Sequence, residues 1–363
     1  MIDRSDETHA SDVTDAGDVT DLQAVAGASE LTEEQRLGIS AALDAGEEAV
    51  GRARPNPAVG CALVREGRVI ATGSTQEVGG PHAEIMALHA AGDQARGATA
   101  YVTLEPCNHT GRTGPCSHAL VEAGIAAVCY LTADTSSPEA SGGADYLREH
   151  GVDVTYIPIT VPALEPWLFA QEHKRPMFTV KLAHTIDGYA AALDGTSQWI
   201  TGEAARAYAH RDRARRDAIL VGTGTALADN PSLTARKPEG GLYPYQPDRI
   251  VFGSRKLPRS YNLYSTGFLQ VDTLEELLAL PYNDILVEGG PGVVTTLFAA
   301  DLVDRVHSYA APAFLGAGKP LVAHGWGESM ADIKRFRRTD TILLGDDVLN
   351  VLERDTPTCL QAL

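Results

Sequence analysis

Two short stretches constrain the fold of this chain more than any others: Pro81-His82-Ala83-Glu84, and the run from Glu105-Pro106-Cys107 to Pro115-Cys116. Pro81 favours the first turn of a helix, so His82 and Glu84 are expected at the N-terminal end of a helix running to about Ala91. Cys107 follows the apolar run 98–104, which reads as a strand, and Cys116 opens a second helix through Leu120 and Val121. A helix start, a strand end and another helix start that deliver His and Cys side chains to one place make an α/β layer arrangement.

The residue types define the chemistry. One His and two Cys offer zinc three protein ligands and leave its fourth tetrahedral position to water, the pattern of catalytic sites. Bound zinc lowers the pKa of that water towards neutrality. Glu84, two residues past the His, then moves protons, as in the zinc deaminases, where the Glu is not a ligand. His82, Cys107 and Cys116 are therefore the expected ligands. A single His or Cys is more often structural; the joint pattern is specific. In the general deaminase signature the second Cys comes three residues after the first, and here it comes nine after. The enlarged loop carries His109 and Arg112, both able to contact a polar or anionic substrate. Asn56, between Pro55 and Pro57 in an extended loop, is placed to present its amide to a ligand; composition alone favours a plain loop Asn.

A chain of 363 residues is long for one domain, and two are expected. The net charge is −18, and Asp3, Asp6, Glu7, Asp12, Asp15, Asp18, Asp21 and Glu30 stand against Arg4 alone in the first thirty residues. That aperiodic segment, 1–30, reads as a disordered acidic tail. The acidic balance argues against a nucleic-acid partner, and an anionic substrate must be met by local Arg or Lys. No apolar run suits a membrane span, and no secretion signal opens the chain. Five scattered cysteines suit a reducing compartment, and a cytoplasmic location is expected.

In chain order, Thr32 reads as the N-cap of a helix, and 58–64 with 68–72 as a β-hairpin. Strands are expected at 126–132 and 152–157, with a helix near 144–150. Residues 31–160 form the first expected domain, 161–176 a linker with a short helix, and 177–363 the second domain. The second half starts with a strand at 177–183. Thr201 is the expected cap of a helix over 203–215, and a strand at 218–221 leads into a Gly-rich turn, 222–231. Further strands are expected at 249–253, 285–287, 306–310, 342–344 and 348–352. The Gly-rich segments after strands, 222–225 and 288–292, suit close backbone approach to phosphates, although the full dinucleotide fingerprint is missing. Ser254 and Arg255 could take a 2′-phosphate.

The motifs PHAE and YVTLEPCNHTGRTGPC, followed by KLAHTIDG, SQWIT, VGTGTALADNPSLTAR and VEGGP, resemble the bifunctional deaminase–reductase family of riboflavin biosynthesis from Leu31 onwards. The resemblance implies a cytidine-deaminase-like three-layer α/β/α domain and a dihydrofolate-reductase-like α/β domain. It implies zinc, a proton-donating Glu84, and Asn56, His109 and Arg112 as contacts to a phosphorylated pyrimidine. It places NADPH on Ala183, Trp199, Thr225, Asp229, Ser254, Gly290, Pro291, Gly292, Val293, Val294, Thr295 and Thr296. Substrate contacts of the second half fall on Ser197, Arg213, Leu233, Arg236 and Glu288, with Lys181 as a further candidate. Arg213 and Arg236 would supply the positive charge that a phosphate needs. A homo-oligomer is a family expectation. Three features depart from the family: Gly114-Pro115 replaces two prolines, 134–138 replaces an Asp-Pro-Asn-Pro loop, and the stretch 254–285 is short. The rival readings are a chain active in deamination only, a nucleoside or tRNA-base deaminase with an appended domain, and a zinc-stabilised binding protein.

Overall fold

The computed structural model describes residues 31–109, 114–135, 141–323, 325 and 327–355. The acidic tail, Arg112 and Cys359 lie outside the described residues.

Helix α1 (Glu33–Ala49) opens on the expected cap. Thr32 Oγ accepts from the Gln35 amide at 3.2 Å, and the Thr32 amide donates to Gln35 Oε1 at 2.8 Å. Two helix-start donors are thereby satisfied at once. The hairpin follows as β1 (Gly60–Arg65) and β2 (Arg68–Ser74), then α2 (Ala83–Ala91), β3 (Thr99–Val102), α3 (Cys116–Ala123), β4 (Ala127–Tyr130), α4 (Gly143–Glu149) and β5 (Asp153–Tyr156). The five strands are ordered β2-β1-β3-β4-β5; β3, β4 and β5 are parallel, and β1 runs antiparallel to both β2 and β3. Glycine lets helices approach both faces. A Cβ at Gly60 would lie 2.0 Å from Ala42 O of α1, and one at Gly73 would lie 2.3 Å from Ala83 O of α2. Gly60 and Gly73 point to opposite faces of the hairpin, so the sheet is sandwiched between α1 and α2, as expected for a three-layer domain.

The stretch expected as a linker is a 3-10 turn (Pro162–Leu164) running into α5 (Glu165–His173). Leu164, Trp167 and Leu168 pack on the first core. The second half contains β6 (Met177–Thr185), β7 (Tyr189–Ala191), α6 (Glu203–Arg215), β8 (Ala218–Gly222), α7 (Thr223–Asp229), β9 (Asp248–Phe252), α8 (Asn262–Thr266), β10 (Leu269–Val271), α9 (Leu274–Leu278), β11 (Asp284–Val287), α10 (Pro291–Ala299), β12 (Arg305–Ala311), β13 (Lys319–Pro320), β14 (Phe336–Leu344) and β15 (Asp347–Arg354). Its eight-stranded sheet runs β10-β9-β8-β11-β6-β12-β15-β14. The strands from β10 to β12 are parallel, while β15 and β14 close it antiparallel. The chain leaves β6 for β8, winds outward to β10, and returns through β11 between β8 and β6. The crevice at the carboxyl ends of β8 and β11 is a switch point of the kind where α/β sheets bind ligands.

Two local expectations differ from the structure. The Gly-rich segment after β8 is helix α7 from Thr223 onwards, because Gly222 already serves as its N-cap. The cap of α6 is Gly202, not Thr201; the Gly202 amide donates to Asp347 Oδ2 at 2.6 Å and the Thr201 carbonyl accepts from Arg206. A carboxylate from the distant β15 thus takes over the capping role. The short stretch 254–285 still carries α8, β10 and α9.

Polar contacts tie the halves together. The Arg54 guanidinium donates to the carbonyls of Arg216, Asp217 and Gln246, Arg215 pairs with Glu47 at 2.7 Å, and Asn283 Nδ2 donates to Pro55 O at 2.8 Å. Beside them, Asp217 accepts from the Asn283 amide at 2.7 Å. Burial, helped by the nearby Asp284, nevertheless pushes its carboxyl up to about 6. A carboxyl raised in the folded state adds stability that is complete below its unfolded pKa, about 3.9, and is lost as pH rises through about 6. Asp217→Asn keeps an acceptor oxygen and removes the charge. It is expected to stabilise the protein by about 1–2 kcal/mol at pH 8 and by almost nothing at pH 4. Thermal unfolding at the two pH values checks this; an equal effect at both would contradict it.

Candidate active site

The chain holds two sites, one in each half. In the first, Cys107 lies in the loop after β3, His82 is the N-cap of α2, and Cys116 is the first residue of α3. Their ligand atoms all lie within 4.8 Å of one another, the one such group found among the described residues. His82 Nδ1 lies 3.6 Å from Cys107 Sγ and 3.3 Å from Cys116 Sγ. The backbone fixes this convergence. The Cys116 amide donates to Cys107 Sγ at 3.4 Å and the Ser117 amide to Cys107 O at 3.2 Å. Glu105 accepts from the Ala144 amide at 3.1 Å, and a Cβ at Gly143 would lie 1.7 Å from Pro106 O. The start of α4 is therefore moulded to the ligand loop.

Two sulfurs and an imidazole in tetrahedral reach fit zinc, by both softness and number. The Cys116 thiol bonds to the Cys107 sulfur and, with His82, draws Cys107 down to about 4; the same contact moves Cys116 upward. Glu84, 3% exposed, is pushed up to about 7 by burial and the Cys107 charge. It sits in the first turn of α2 outside the ligand set, placed to exchange a proton near neutral pH. His109 is exposed, two residues past Cys107. Arg112 lies outside the described residues. Asn56 lines a cavity of about 230 Å³ between the halves, which the three ligands do not line.

The second site is a cavity of about 1280 Å³ above the β8–β11 crevice. Gly290 opens α10 there, and a Cβ on it would lie 2.6 Å from Thr225 Oγ1. Glycine at this position lets the Thr225 hydroxyl close on the N-terminus of α10, and the resulting cradle suits a dinucleotide phosphate. All the reductase-half candidates line the cavity except Ser254 and Thr295. Ser254 is exposed beside it, while its neighbour Arg255 lines it and donates to Thr223 Oγ1 at 3.3 Å. Thr295 is engaged elsewhere: its hydroxyl donates to Pro291 O at 2.7 Å and accepts from the Ala323 amide at 2.9 Å.

Arg213 also differs from expectation in its use of charge. It forms a two-pronged pair with Glu288, 2.5 and 2.6 Å, and donates to Thr234 O at 2.9 Å. Burial alone would raise the Glu288 carboxyl; Arg213 overrides it and holds it below its ordinary value. Burial draws Lys181 down from the usual lysine value, against the pull of Glu288. Arg236 presents an exposed guanidinium at the cavity rim, bonded to His210 and Thr234. His210, one turn before Arg213 on α6, was not among the sequence candidates. Its i,i+3 spacing from Arg213 on the expected helix was the available signal.

Residues 32–132 match the family described as the cytidine and deoxycytidylate deaminase zinc-binding region, and residues 176–349 match the RibD C-terminal domain. The chain is 50% identical over 295 residues to the riboflavin biosynthesis protein RibD of Corynebacterium ammoniagenes, covering 78% of this chain and 87% of that one. The chain belongs to the RibD family. The RibD of Mycobacterium tuberculosis (strain CDC 1551 / Oshkosh) is 40% identical, over 82% of this chain and 91% of its own. The solved structure of Acinetobacter baumannii RibD, form 1, superposes with a TM-score of 0.79 at 31% identity, covering 89% of this chain and 99% of that one. A diaminohydroxyphosphoribosylaminopyrimidine deaminase/5-amino-6-(5-phosphoribosylamino)uracil reductase from Thermotoga maritima gives 0.77 at 30% identity, over 86% and 96% of the two chains. The fold is thus the deaminase–reductase fold along nearly the whole described chain. The family match covers both the zinc-binding region and the reductase half, which sets aside the reading of a nucleoside or tRNA-base deaminase with an appended domain.

Proposed function

We propose that the chain carries out two successive steps of riboflavin biosynthesis. Residues 31–160 deaminate diaminohydroxyphosphoribosylaminopyrimidine hydrolytically, and residues 177–363 reduce the ribosyl group of the resulting 5-amino-6-(5-phosphoribosylamino)uracil to ribityl with NADPH. The segment 161–176 joins the two domains. The observation that carries this reading is the pairing, in one chain, of the His82–Cys107–Cys116 group beside buried Glu84 with the Gly290 cradle over the β8–β11 crevice.

In the first step, His82, Cys107 and Cys116 would hold zinc, which when bound supplies a water acidified for attack. Glu84 takes one proton from the attacking water and gives it to the ring nitrogen, then takes the second proton from the added hydroxyl and gives it to the amine, which leaves as ammonia while the carbonyl forms. Asn56, His109 and Arg112 are assigned to substrate contact; the exposure of His109 beside Cys107 supports this for that residue. In the second step, the Gly290 cradle, Thr225 and the start of α10 would hold NADPH, which supplies the hydride. Arg213 fixes the Glu288 carboxylate on the cavity wall with Lys181 beside it, giving the substrate's polar atoms one anion and one cation to align against. Arg236 meets the substrate phosphate at the rim. We assign the protein to the cytoplasm, a reading supported by Cys61 and Cys129, two thiols that are neither zinc ligands nor paired in a disulfide. No helix among the described residues is long and apolar enough to cross a membrane. A homo-oligomer is also proposed; the edge strand β14, with Leu343 76% exposed, supports it.

Removing zinc with a chelator tests the assignment. Ammonia release is expected to stop and to return with added zinc, while NADPH-dependent reduction of the already deaminated substrate continues throughout. Ammonia release that survives complete removal of zinc would refute the metal assignment.

A further inference from the structure

His210 lines the reductase cavity, half-buried, with every polar contact defined. Its Nδ1 lies 3.1 Å from an acceptor, Thr234 O, and 3.4 Å from two donors, Arg213 Nη1 and the Arg236 backbone N–H. Its Nε2 lies 3.1 Å from Arg236 Nη2. A guanidinium offers donors only. The two shorter contacts, each 3.1 Å, make Nε2 the bare, accepting nitrogen: its one partner there is a donor, whereas Nδ1 has an acceptor at the same distance. The ring proton then belongs on Nδ1, where the Thr234 carbonyl accepts it at 3.1 Å; the two donors at 3.4 Å are the weaker contacts that this tautomer gives up. An imidazolium would satisfy neither Arg236 nor the charge of the two arginines. Burial and the charges of Arg213 and Arg236 draw the His210 pKa down to about 4, in keeping with a neutral ring.

We infer that His210 is a positioning residue: its neutral ring, anchored to the Thr234 carbonyl, aims the exposed Arg236 guanidinium at the anionic end of the substrate. An exposed arginine side chain otherwise spreads over many rotamers, and the cost of ordering it would fall on substrate binding. A tether through Nε2 removes much of that cost before the substrate arrives. The contact also leaves other guanidinium nitrogens of Arg236 for the ligand, since only Nη2 reaches His210 and Nη1 lies a long 3.4 Å from Thr234 Oγ1. Arg213 differs in kind: its fork is filled by Glu288. The arrangement thus divides two arginines between two tasks, one to fix an acid on the cavity wall and one to capture a phosphate. The inference rests on the reading of Arg236 as a phosphate contact.

The test uses the full, zinc-loaded chain with saturating NADPH and two substrates, 5-amino-6-(5-phosphoribosylamino)uracil and its dephosphorylated form. His210→Phe keeps a planar aromatic ring, somewhat larger, but has no acceptor, whereas His210→Gln can return an amide oxygen to the Nε2 position. With the phosphorylated substrate, His210→Phe is expected to raise KM roughly tenfold, the loss of one charge-assisted hydrogen bond, with a smaller change in kcat. His210→Gln recovers much of the loss. The dephosphorylated substrate shows no added penalty, and in an Arg236→Ala background His210→Phe costs almost nothing more. Thermal unfolding of each variant separates loss of fold from loss of aim. An equal penalty for Phe and Gln, for both substrates, or with Arg236 absent would overturn the positioning role while leaving the Arg236 assignment standing. An Arg236→Ala variant with unchanged KM for the phosphorylated substrate would overturn that assignment and the inference with it.

Discussion

Glu84→Gln abolishes ammonia release while zinc stays bound. The carboxyl is buried in the first turn of α2, two residues past His82 and outside the proposed ligand set. Gln keeps the volume and an acceptor oxygen but cannot take up or return a proton. General acid–base catalysis contributes about 10²–10⁴-fold, and one group that serves both the attack and the departure removes at least that much from kcat. Zinc per chain, measured by elemental analysis, is expected to match the parent protein, because no ligand changes. Reduction of the deaminated substrate by NADPH should also match, because the second site lies in the other sheet. Retained ammonia release would remove Glu84 from the mechanism, and lost zinc would make it a structural support of the ligands.

The second large effect is expected at Arg213. Its two-pronged pair with Glu288 is buried, with side-chain exposures of 16% and 8%. Breaking such a pair by removing one partner leaves a buried charge unpaired and costs about 3–5 kcal/mol. In Arg213→Met, Glu288 therefore takes up a proton or turns away, and reduction falls by more than about a hundredfold. The double variant Arg213→Met with Glu288→Gln removes the orphaned charge. It should recover much of the stability and none of the activity, a non-additivity read from a double-mutant cycle. Deamination persists in both. Additive losses of stability would mean that the two side chains are not coupled; recovered reduction in the double variant would mean that the pair serves the fold and not the substrate.

Much of this architecture is legible before any coordinates. The spacing of His82, Cys107 and Cys116 already demands a helix start, a strand end and a second helix start in one place, and the periodicities of 203–215, 218–221 and 285–287 give their elements to within a residue. Capping at Thr32 is local, so it can be read from four residues. The features that escape the sequence are held by distant partners. Asp347 replaces Thr201 as the acceptor at the start of α6 across 145 positions. Arg213 spends its charge on Glu288, 75 residues away. His210 acquires a task only because the loop carrying Thr234 and Arg236 folds back onto α6. Ser254 and Thr295 show the same limit from the other side: both sit in segments that border the cavity, but the chain's path turns one outward and binds the other to Pro291 and Ala323.

The central claim is that one chain performs a hydrolytic deamination and then a hydride transfer on its product. The most direct measurement follows ammonia release and NADPH oxidation together, from zinc-loaded protein and diaminohydroxyphosphoribosylaminopyrimidine, with NADPH present or withheld. Ammonia should appear in both cases, and NADPH oxidation should follow after a lag that vanishes when the deaminated substrate is supplied instead. Oxidation without prior ammonia, or no oxidation of NADPH even with deaminated substrate, would contradict the account.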